Sequence, residues 1–170
     1  IIMKKHKICI VGGGLTGLIS ALILSERGLD IDLIVENNVS KIKDLRVTAI
    51  SEKNREFLKS TIKNINLKLF YPVNKINLFF EKDNQTKNFL NFEENKNLIF
   101  FFENRSTKEH LTKLLKKTKI KIQKKTIKSI DLAENKVSTN LSSKSYDLVV
   151  LCLGSNSSIY QKISGNREIK

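Results

Sequence analysis

The chain has 170 residues, 40% of them hydrophobic, and carries a formal net charge of +14. This length provides one domain with a proper core, or one and a half domains of a larger architecture. The longest apolar runs, such as residues 148–153, are too short to cross a bilayer. Lys4, Lys5 and Lys7 lead into a strand pattern instead of an apolar stretch with a cleavage site. We therefore predict no secretory signal and expect a cytoplasmic protein.

The high positive charge has two interpretations. Attraction to nucleic acid or to an anionic membrane surface would be functional. Enrichment in Lys, Ile and Asn, with one Pro and no Trp, instead indicates a compositional bias. The lysines are spread along the whole length, with only modest clusters at Lys116-Lys117 and Lys124-Lys125. Because nucleic-acid binding requires clustered charge with arginine and exposed aromatic residues, we expect no specific nucleic-acid partner. Peripheral contact with an anionic inner-membrane surface stays open.

Four side chains that often carry chemistry receive structural interpretations. Cys9 and Cys152 both fall in predicted buried strands, which favours small core residues over a disulfide or a metal pair. His6 and His110 occupy a terminal segment and an exposed helix position. We therefore predict no metal ligands and no catalytic side chain among them.

The first forty residues contain a pattern typical of a nucleotide-binding βαβ unit. Residues 7–11 read as a buried strand that runs directly into the sequence G-x-G-x-x-G at residues 12–17. A helical apolar pattern follows, and then a second strand at residues 31–35 that ends in Glu36. Strand, glycine loop, helix, strand and acid stand in the order that such a unit requires, so we predict a dinucleotide site.

Each residue of this motif has an expected task. Gly12 makes the tight turn, Gly14 lets the backbone approach a pyrophosphate, and Gly17 lets the helix pack against the strand. The helix N-terminus, with Leu15 and Thr16, offers N–H groups and a partial positive charge to the phosphates. Glu36 lies 24 residues after Gly12, where a carboxylate can accept hydrogen bonds from both ribose hydroxyls. An acid there disfavours a 2′-phosphate, which indicates FAD or NAD over NADP.

The rest of the chain mixes strands with two further helices. After a polar loop at residues 37–44, we predict a strand over 45–50 and a helix capped by Ser51 that carries Phe57, Leu58 and Ile62. Pro72 interrupts this pattern. Alternating apolar residues predict a hairpin from strands 75–81 and 86–92, turning at residues 82–85.

The second half of the chain continues the mixture. Another strand is predicted at 97–102, and a helix follows from Ser106 or Thr107, where Ser106 and Glu109 resemble a capping box. Further strands are predicted at 120–123, 127–132 and 136–140, with a turn at 134–135, before a fully buried strand over 146–153 that ends at Gly154.

This order of elements resembles the FAD-dependent aromatic hydroxylases of the para-hydroxybenzoate hydroxylase type, and is most similar to the branch that serves ubiquinone biosynthesis. Besides the glycine loop with Glu36, residues 44–51 are similar to the signature D-x-R-x-x-A-L-S of that branch. Residues 102–105, followed by Leu111, are similar to the E-N-x-x-L helix start of the family. Residues 147–157 stand in the place of the motif D-L-V-V-G-A-D-G-x-x-S.

The resemblance implies a fold and a set of cofactor contacts. The expected fold is α/β, a Rossmann-like FAD-binding unit at residues 1–70 and 103–170, with part of an antiparallel substrate-domain sheet inserted at 71–102. Arg46 would approach the flavin diphosphate, where its guanidinium offers charge and a fork of donors. Asn104 would contact the cofactor through its amide, which both donates and accepts, and Gly154 would belong to the last motif.

The resemblance also implies an activity. The family hydroxylates aromatic rings with O₂, FAD and, in the full-length enzymes, NAD(P)H as reductant, and the cofactor carries the reaction. We expect an aromatic or polyprenyl phenol as substrate, with contact to other ubiquinone-biosynthesis enzymes left open.

Two departures weaken the enzymatic interpretation. Leu153 precedes Gly154 where the family has Asp, and the family needs about twice this length, so the C-terminal half of its fold is expected to be absent. The alternative is a truncated nucleotide-binding protein without hydroxylase chemistry. An NAD-dependent dehydrogenase is less consistent with the sequence, because strands and a hairpin follow Glu36 where further βαβ units should continue.

Overall fold

The computed structural model describes residues 5–36, 44–82, 85–154, 157 and 159, which belong to two units. Unit 1 comprises residues 1–43 and 108–170, and unit 2 comprises residues 44–107. The helices are α1 (Leu15–Glu26), α2 (Glu52–Thr61) and α3 (Asn104–Leu115). The strands are β1 (Lys7–Val11), β2 (Asp30–Val35), β3 (Val47–Ser51), β4 (Tyr71–Val73), β5 (Lys75–Lys82), β6 (Gln85–Glu93), β7 (Ile99–Glu103), β8 (Lys121–Lys124), β9 (Ile127–Asp131), β10 (Lys136–Thr139), β11 (Ser143–Ser145) and β12 (Leu148–Leu151).

A four-stranded parallel sheet forms the centre of unit 1. Its strands lie in the order β12-β1-β2-β8, and β1 pairs with both β12 and β2 in parallel register. The two central strands are apolar runs buried along nearly their whole length, as expected for strands with neighbours on both sides. Helix α1 connects β1 to β2 and contacts both strands.

The two faces of this sheet carry different sets of side chains. Because successive side chains of a strand point to opposite faces, Cys9 and Val11 share one face with their neighbours Asp32 and Ile34 on β2. That face packs against the antiparallel sheet β9-β10-β11 through a cluster that includes Ile127, Val137 and Tyr146. Unit 1 is therefore a parallel sheet with a small antiparallel sheet on one face.

A buried carboxylate lies inside this interface. Asp32 is fully buried, and its Oδ2 accepts hydrogen bonds from Lys144 Nζ and, at 3.0 Å, from the Tyr146 hydroxyl. Its Oδ1 makes no hydrogen bond within the described chain. Burial alone would raise the pKa of the Asp32 carboxyl, but the hydrogen bonds from Lys144 and Tyr146 outweigh burial and lower this pKa below its usual range.

Unit 2 contains an antiparallel sheet in the order β3-β7-β4 and the separate hairpin β5-β6. Phe70 and Phe102 pack edge to face with ring centroids 5.4 Å apart, and the Arg55 guanidinium lies 4.6 Å from the ring centroid of Phe100. The hydroxyl of Ser51 accepts a hydrogen bond from the Asn54 N–H, which confirms the predicted cap of α2.

The predicted hairpin is confirmed, and its apolar face is exposed. The pairs Ile76–Phe92 and Leu78–Leu90 place apolar residues on one face, yet almost all residues of the hairpin are exposed. β5 and β6 pair only with each other, and within the described residues the apolar face of this two-stranded ribbon is open to solvent. The predicted turn residues Asp83 and Asn84 lie outside the described residues, as does most of the predicted loop at 37–44.

Three further predictions require correction. Helix α3 begins at Asn104, so Ser106 lies in its first turn and donates to Glu103 Oε2 at 2.7 Å in place of capping the helix. The last strand is not fully buried: it is limited to β12, whose position at the sheet edge leaves Leu148 and Leu151 partly exposed. For the same reason Cys152 lies just past a strand and is half-buried, whereas Cys9 is buried inside β1. The α/β class with a parallel sheet and additional antiparallel sheets is confirmed, and the predicted division at residues 71–102 stays a prediction.

We predict that removing the charge of Lys144 lowers the free energy of unfolding more than removing the charge of Asp32. Lys144→Met leaves a fully buried carboxylate without its cation and should lower the free energy of unfolding by about 3–5 kcal/mol. Asp32→Asn leaves a lysine that can turn toward water and should cost roughly 1–3 kcal/mol. Urea denaturation measures both, and the double variant Asp32→Leu with Lys144→Met is the control, because an apolar pair should recover most of the loss. Equal costs for the two single variants would contradict this prediction.

The same pair predicts a dependence of stability on pH. Because the pKa of Asp32 is lower in the folded than in the unfolded state, its contribution is present above the unfolded value of about 3.9 and is lost as the pH falls through the folded pKa. Burial lowers the pKa of Lys144, but the hydrogen bond to Asp32 and the negative charges of nearby carboxylates together raise it, so its contribution is lost only at strongly alkaline pH. The stability difference between the wild type and Asp32→Asn should therefore shrink in acid. A difference that stays constant from neutral to strongly acidic pH would show that Asp32 does not act through its charge.

Candidate nucleotide-binding site

The loop between β1 and α1 follows a backbone path that only glycine permits at its first position. Gly12 has a φ of +121°, and its N–H donates to the carbonyl oxygen of Ile34 at 2.9 Å. A Cβ on Gly12 would lie 2.2 Å from the carbonyl oxygen of Cys152. The loop therefore turns while in direct contact with the segment that follows β12.

The last glycine of the motif allows α1 to approach this turn. Gly17 is buried in the first turn of the helix, and a Cβ there would lie 1.9 Å from the carbonyl oxygen of Gly12. A Cβ on Gly13 would meet the side chain of Val35 at 2.6 Å. These two glycines are consequently required by close packing within the protein.

Gly14 is different, because the space beside it is open. It is the N-cap residue of α1; among the described residues, no side chain caps the helix and no atom lies within 4 Å of where a Cβ on Gly14 would be. Leu15 and Thr16 follow as the first two residues of α1. A helix N-terminus without a side-chain cap directs N–H groups and a partial positive charge toward the space beside it. This geometry fits the diphosphate of a dinucleotide.

Two other predicted site residues lie near the carboxyl ends of β2 and β12, the two strands that flank β1. Glu36 is exposed and directly follows β2, and Gly154 is exposed, with open space where its Cβ would be. Ligands of open parallel sheets bind outside the carboxyl ends of the strands. Unit 1 thus brings the glycine loop, Glu36 and Gly154 to one edge of the sheet. Leu153, which replaces the expected aspartate, packs against the buried core cluster of unit 1.

Arg46 and Asn104 belong to unit 2 and lie close to each other. The backbone N–H of Asn104 donates to the carbonyl oxygen of Arg46 at 3.0 Å. The side chain of Arg46 is 79% exposed, and its guanidinium makes two hydrogen bonds to Asp44, from Nε at 2.9 Å and from Nη2 at 2.8 Å. These hydrogen bonds raise the pKa of Arg46 and hold its fork next to Asp44.

Asn104, by contrast, is held inside unit 2. It is buried as the first residue of α3, and its Oδ1 accepts a hydrogen bond from the Thr48 hydroxyl at 2.6 Å. This contact fixes the plane of the amide against β3. The role of Asn104 and of Arg46 in contacting a cofactor stays a prediction.

Sequence reasoning missed the polar cluster beneath the nucleotide-binding sheet. Asp32 interrupts the apolar run of β2, and a charged residue within such a run was the available signal. Cys9 lies in the same cluster, where burial raises the pKa of its thiol to about 11 and keeps it neutral near pH 7. Among the described residues, no group of His, Cys, Asp and Glu could hold a metal ion, and no helix is long and apolar enough to span a membrane.

Comparisons with solved structures show the same fold in an oxygenase, a monooxygenase and a dihydroxylase. A 2-methyl-3-hydroxypyridine-5-carboxylic acid oxygenase variant superimposes with a TM-score of 0.71 at 16% identity, over 94% of this chain and 42% of the other. The p-nitrophenol 4-monooxygenase of Pseudomonas putida DLL-E4 gives 0.65 at 19% identity, over 94% and 43%. A peptidyl tryptophan dihydroxylase gives 0.55 at 12% identity, over 92% and 34%.

The chain therefore spans less than half the length of these three structures. No curated protein matches it in sequence. A family model described as an FAD binding domain matches residues 5–143, which include the glycine loop, Glu36, Arg46 and Asn104. Since this match covers most of the chain, the protein belongs to the FAD-binding-domain family.

Proposed function

We propose that this chain is the nucleotide-binding part of an FAD-dependent monooxygenase that hydroxylates an aromatic ring. The observation that carries the proposal is the uncapped N-terminus of α1 beside the open space at Gly14, with Glu36 at the end of the neighbouring strand. Together these groups suit the diphosphate and the ribose in the ADP half of FAD. The family match and the names of the structural relatives, two of them an oxygenase and a monooxygenase, support the same activity.

The residues of the chain would bind and orient the cofactor, and bound FAD supplies the redox chemistry. N–H groups at the start of α1 would hold the diphosphate, and the carboxylate of Glu36 would accept hydrogen bonds from the ribose hydroxyls. Arg46 and Asn104 would contribute a cation and an amide toward the remainder of the cofactor, as the family resemblance implies.

The finer proposal concerns the substrate. We infer that the ring belongs to a polyprenyl phenol of ubiquinone biosynthesis, with NAD(P)H as the reductant of the complete enzyme. Its support is the segment from Asp44 to Ser51, which is similar to the signature of that branch. Contact with an anionic inner membrane and with other enzymes that act on the same lipid would follow from such a substrate.

A second candidate function is nucleotide binding without hydroxylation. The observation that favours it is Leu153, whose side chain packs against the core cluster where the family motif has a carboxylate. Calorimetry with FAD and with ADP tests the nucleotide site that both candidates share, and oxidation of NAD(P)H in the presence of FAD and a phenol separates them. If neither nucleotide binds, both candidates are overturned.

We predict that the isolated chain binds FAD and ADP with comparable affinity. The described groups that fit a ligand serve the ADP half, and Leu153 offers no polar contact to the ribityl chain. Competition of ADP against FAD, followed by flavin fluorescence, measures the ratio of the two affinities. A protein that stays yellow with stoichiometric flavin through gel filtration would contradict this prediction.

Substitutions at two glycines of the loop should have different effects, one on nucleotide binding and the other on stability. Gly14→Val places a side chain into the open space, so it should abolish ADP binding while the thermal unfolding midpoint stays unchanged. Gly17→Ala forces a Cβ against the Gly12 carbonyl and should lower stability by roughly 1–3 kcal/mol or more. Unchanged ADP affinity in Gly14→Val, measured by calorimetry, would rule out this phosphate site.

The carboxylate of Glu36, at the end of β2, should determine whether the site prefers a ribose with a free 2′-hydroxyl or one with a 2′-phosphate. Glu36→Gln weakens charge-assisted hydrogen bonds to the ribose hydroxyls, so ADP affinity should fall about tenfold or more. The same change should narrow the preference for ADP over 2′-phospho-ADP, because a 2′-phosphate no longer meets a negative charge. Glu134→Gln, which removes an exposed acid in the turn after β9, is the matched control and should leave both affinities unchanged.

A further inference from the structure

A strongly basic surface lies at one edge of unit 1. Residues 110–130 contain eight lysines and neither Asp nor Glu. Seven of the eight are exposed, and six of these lie in the last turn of α3, in the turn after it and in strand β8. We refer to these six as the lysine edge: Lys113, Lys116, Lys117, Lys119, Lys121 and Lys124.

The position of β8 leaves this surface open. In the order β12-β1-β2-β8, strand β8 pairs with β2 alone among the described strands, and its other side is an edge of the parallel sheet. Within the part of the chain that the structure describes, none of the six lysines forms an ion pair with a carboxylate. Their charges therefore act together on whatever approaches this edge.

An exposed leucine lies close to the carboxyl end of β8, the last part of the lysine edge. The loop after β10 is tied to the residues that follow β8, because Asn140 N–H donates to the Thr126 carbonyl at 2.9 Å and Lys125 Nζ donates to Ser142 Oγ at 3.3 Å. Leu141 is at the tip of this loop and is 72% exposed. An apolar side chain is thus presented to solvent near the carboxyl end of β8, where Lys124 and Lys125 lie.

The loop that presents Leu141 is internally fixed by Thr139. The N–H of Thr139 donates to the carbonyl oxygen of Ser142 at 2.8 Å. Its Oγ1 accepts from the N–H groups of Leu141 and Ser142, at 3.3 Å and 3.1 Å. A hydrogen-bonded turn of this kind holds the leucine outward without further loss of backbone freedom when it is buried in a partner.

We propose that the lysine edge and Leu141 together form a docking surface for an anionic phospholipid bilayer. Lysines act as compact point charges, which suits mobile headgroups, and each one near such a surface strengthens binding. Leu141 would enter the boundary between headgroups and acyl chains. This surface lies outside the nucleotide-binding loop, so docking does not depend on the proposed hydroxylase function.

The composition of this region disfavours nucleic acid as the occupant. Residues 106–145 contain no Arg, Phe, Tyr or Trp. Recognition of bases uses bidentate arginine contacts and stacking on aromatic rings. A region with only lysines and an exposed leucine offers neither, whereas charge and apolar insertion are the two contributions that peripheral membrane binding requires.

Sedimentation with vesicles tests the lysine edge. The full chain is mixed with vesicles of phosphatidylcholine alone or of phosphatidylcholine and phosphatidylglycerol at physiological ionic strength, and binding is expected only to the anionic vesicles. The triple variant Lys116→Gln, Lys117→Gln and Lys119→Gln should lose on the order of a hundredfold in partitioning. The control Lys53→Gln, Lys68→Gln and Lys96→Gln removes the same charge from exposed lysines of unit 2 and should lose much less.

A second pair of variants tests the apolar contribution. Leu141→Ser should reduce partitioning roughly tenfold, because it removes the inserted side chain. Leu132→Ser is the matched control, since Leu132 is 59% exposed at the opposite end of the β9-β10 hairpin. It should bind vesicles like the wild type.

Three results would overturn the proposal. The first is that the two lysine triple variants lose vesicle partitioning equally. The second is that Leu141→Ser binds the anionic vesicles as well as the wild type. The third is that the chain binds a DNA duplex more tightly than the anionic vesicles and that salt does not weaken this binding. Thermal unfolding and ADP calorimetry on the same variants are expected to be unchanged, because the altered side chains are exposed and lie outside the glycine loop. A failure of vesicle binding with intact ADP binding would therefore reject the docking surface and leave the proposed function standing.

Discussion

The contact between the backbone of Gly12 and the start of α1 is the constraint on which the nucleotide site depends. The carbonyl oxygen of Gly12 occupies the place that a Cβ of residue 17 would need, and the Cys152 carbonyl occupies the place of a Cβ on Gly12. Two strands and a helix therefore meet at one backbone turn. Because the interior side of this turn is filled, the helix N-terminus directs its N–H groups into the open space at Gly14, where an anion fits.

A second constraint lies on the face of the parallel sheet that packs against the antiparallel sheet β9-β10-β11. Asp32 lies on β2 and is fully buried, and its partners Lys144 and Tyr146 come from the segment at the end of the small antiparallel sheet. A buried ion pair of this kind rarely adds net stability compared with apolar residues. However, any arrangement that buries the Asp32 carboxylate without the Lys144 ammonium is destabilised. The ion pair therefore favours one placement of β11 over the parallel sheet.

The sequence was most informative where structure depends on local periodicity. The unit β1-α1-β2, the cap of α2 at Ser51 and the hairpin follow from patterns within a few residues, and the structure has them where they were predicted. Strand β11 was missed because Ser143–Ser145 is polar, short and paired only through β10. The start of α3 was placed too late because Asn104 is held by Arg46 and Thr48, which are distant in sequence.

Some residues of the candidate site could likewise be predicted from local sequence, and others depend on contacts between distant segments. The glycine loop and Glu36 could be predicted because their spacing is a local property of the βαβ unit. The exposure of β12 could not be predicted, because it depends on the order of strands in the sheet and not on the apolar run itself. The same limitation applies to Leu153, whose packing against the core depends on residues from β1, β2 and β9.

The distribution of charge shows why a compositional bias is an incomplete account of the lysines. The exposed apolar hairpin region, residues 74–96, contains four lysines and four acidic residues, so its charge is balanced. Residues 110–130 contain eight lysines and no acid at all. Stretches without Asp or Glu also occur at residues 1–25 and 57–80, but these contain three and four lysines, so residues 110–130 differ from them in the number of lysines. The lysine edge is therefore a local excess of positive charge, and this excess is the property that the proposed docking to an anionic bilayer would use.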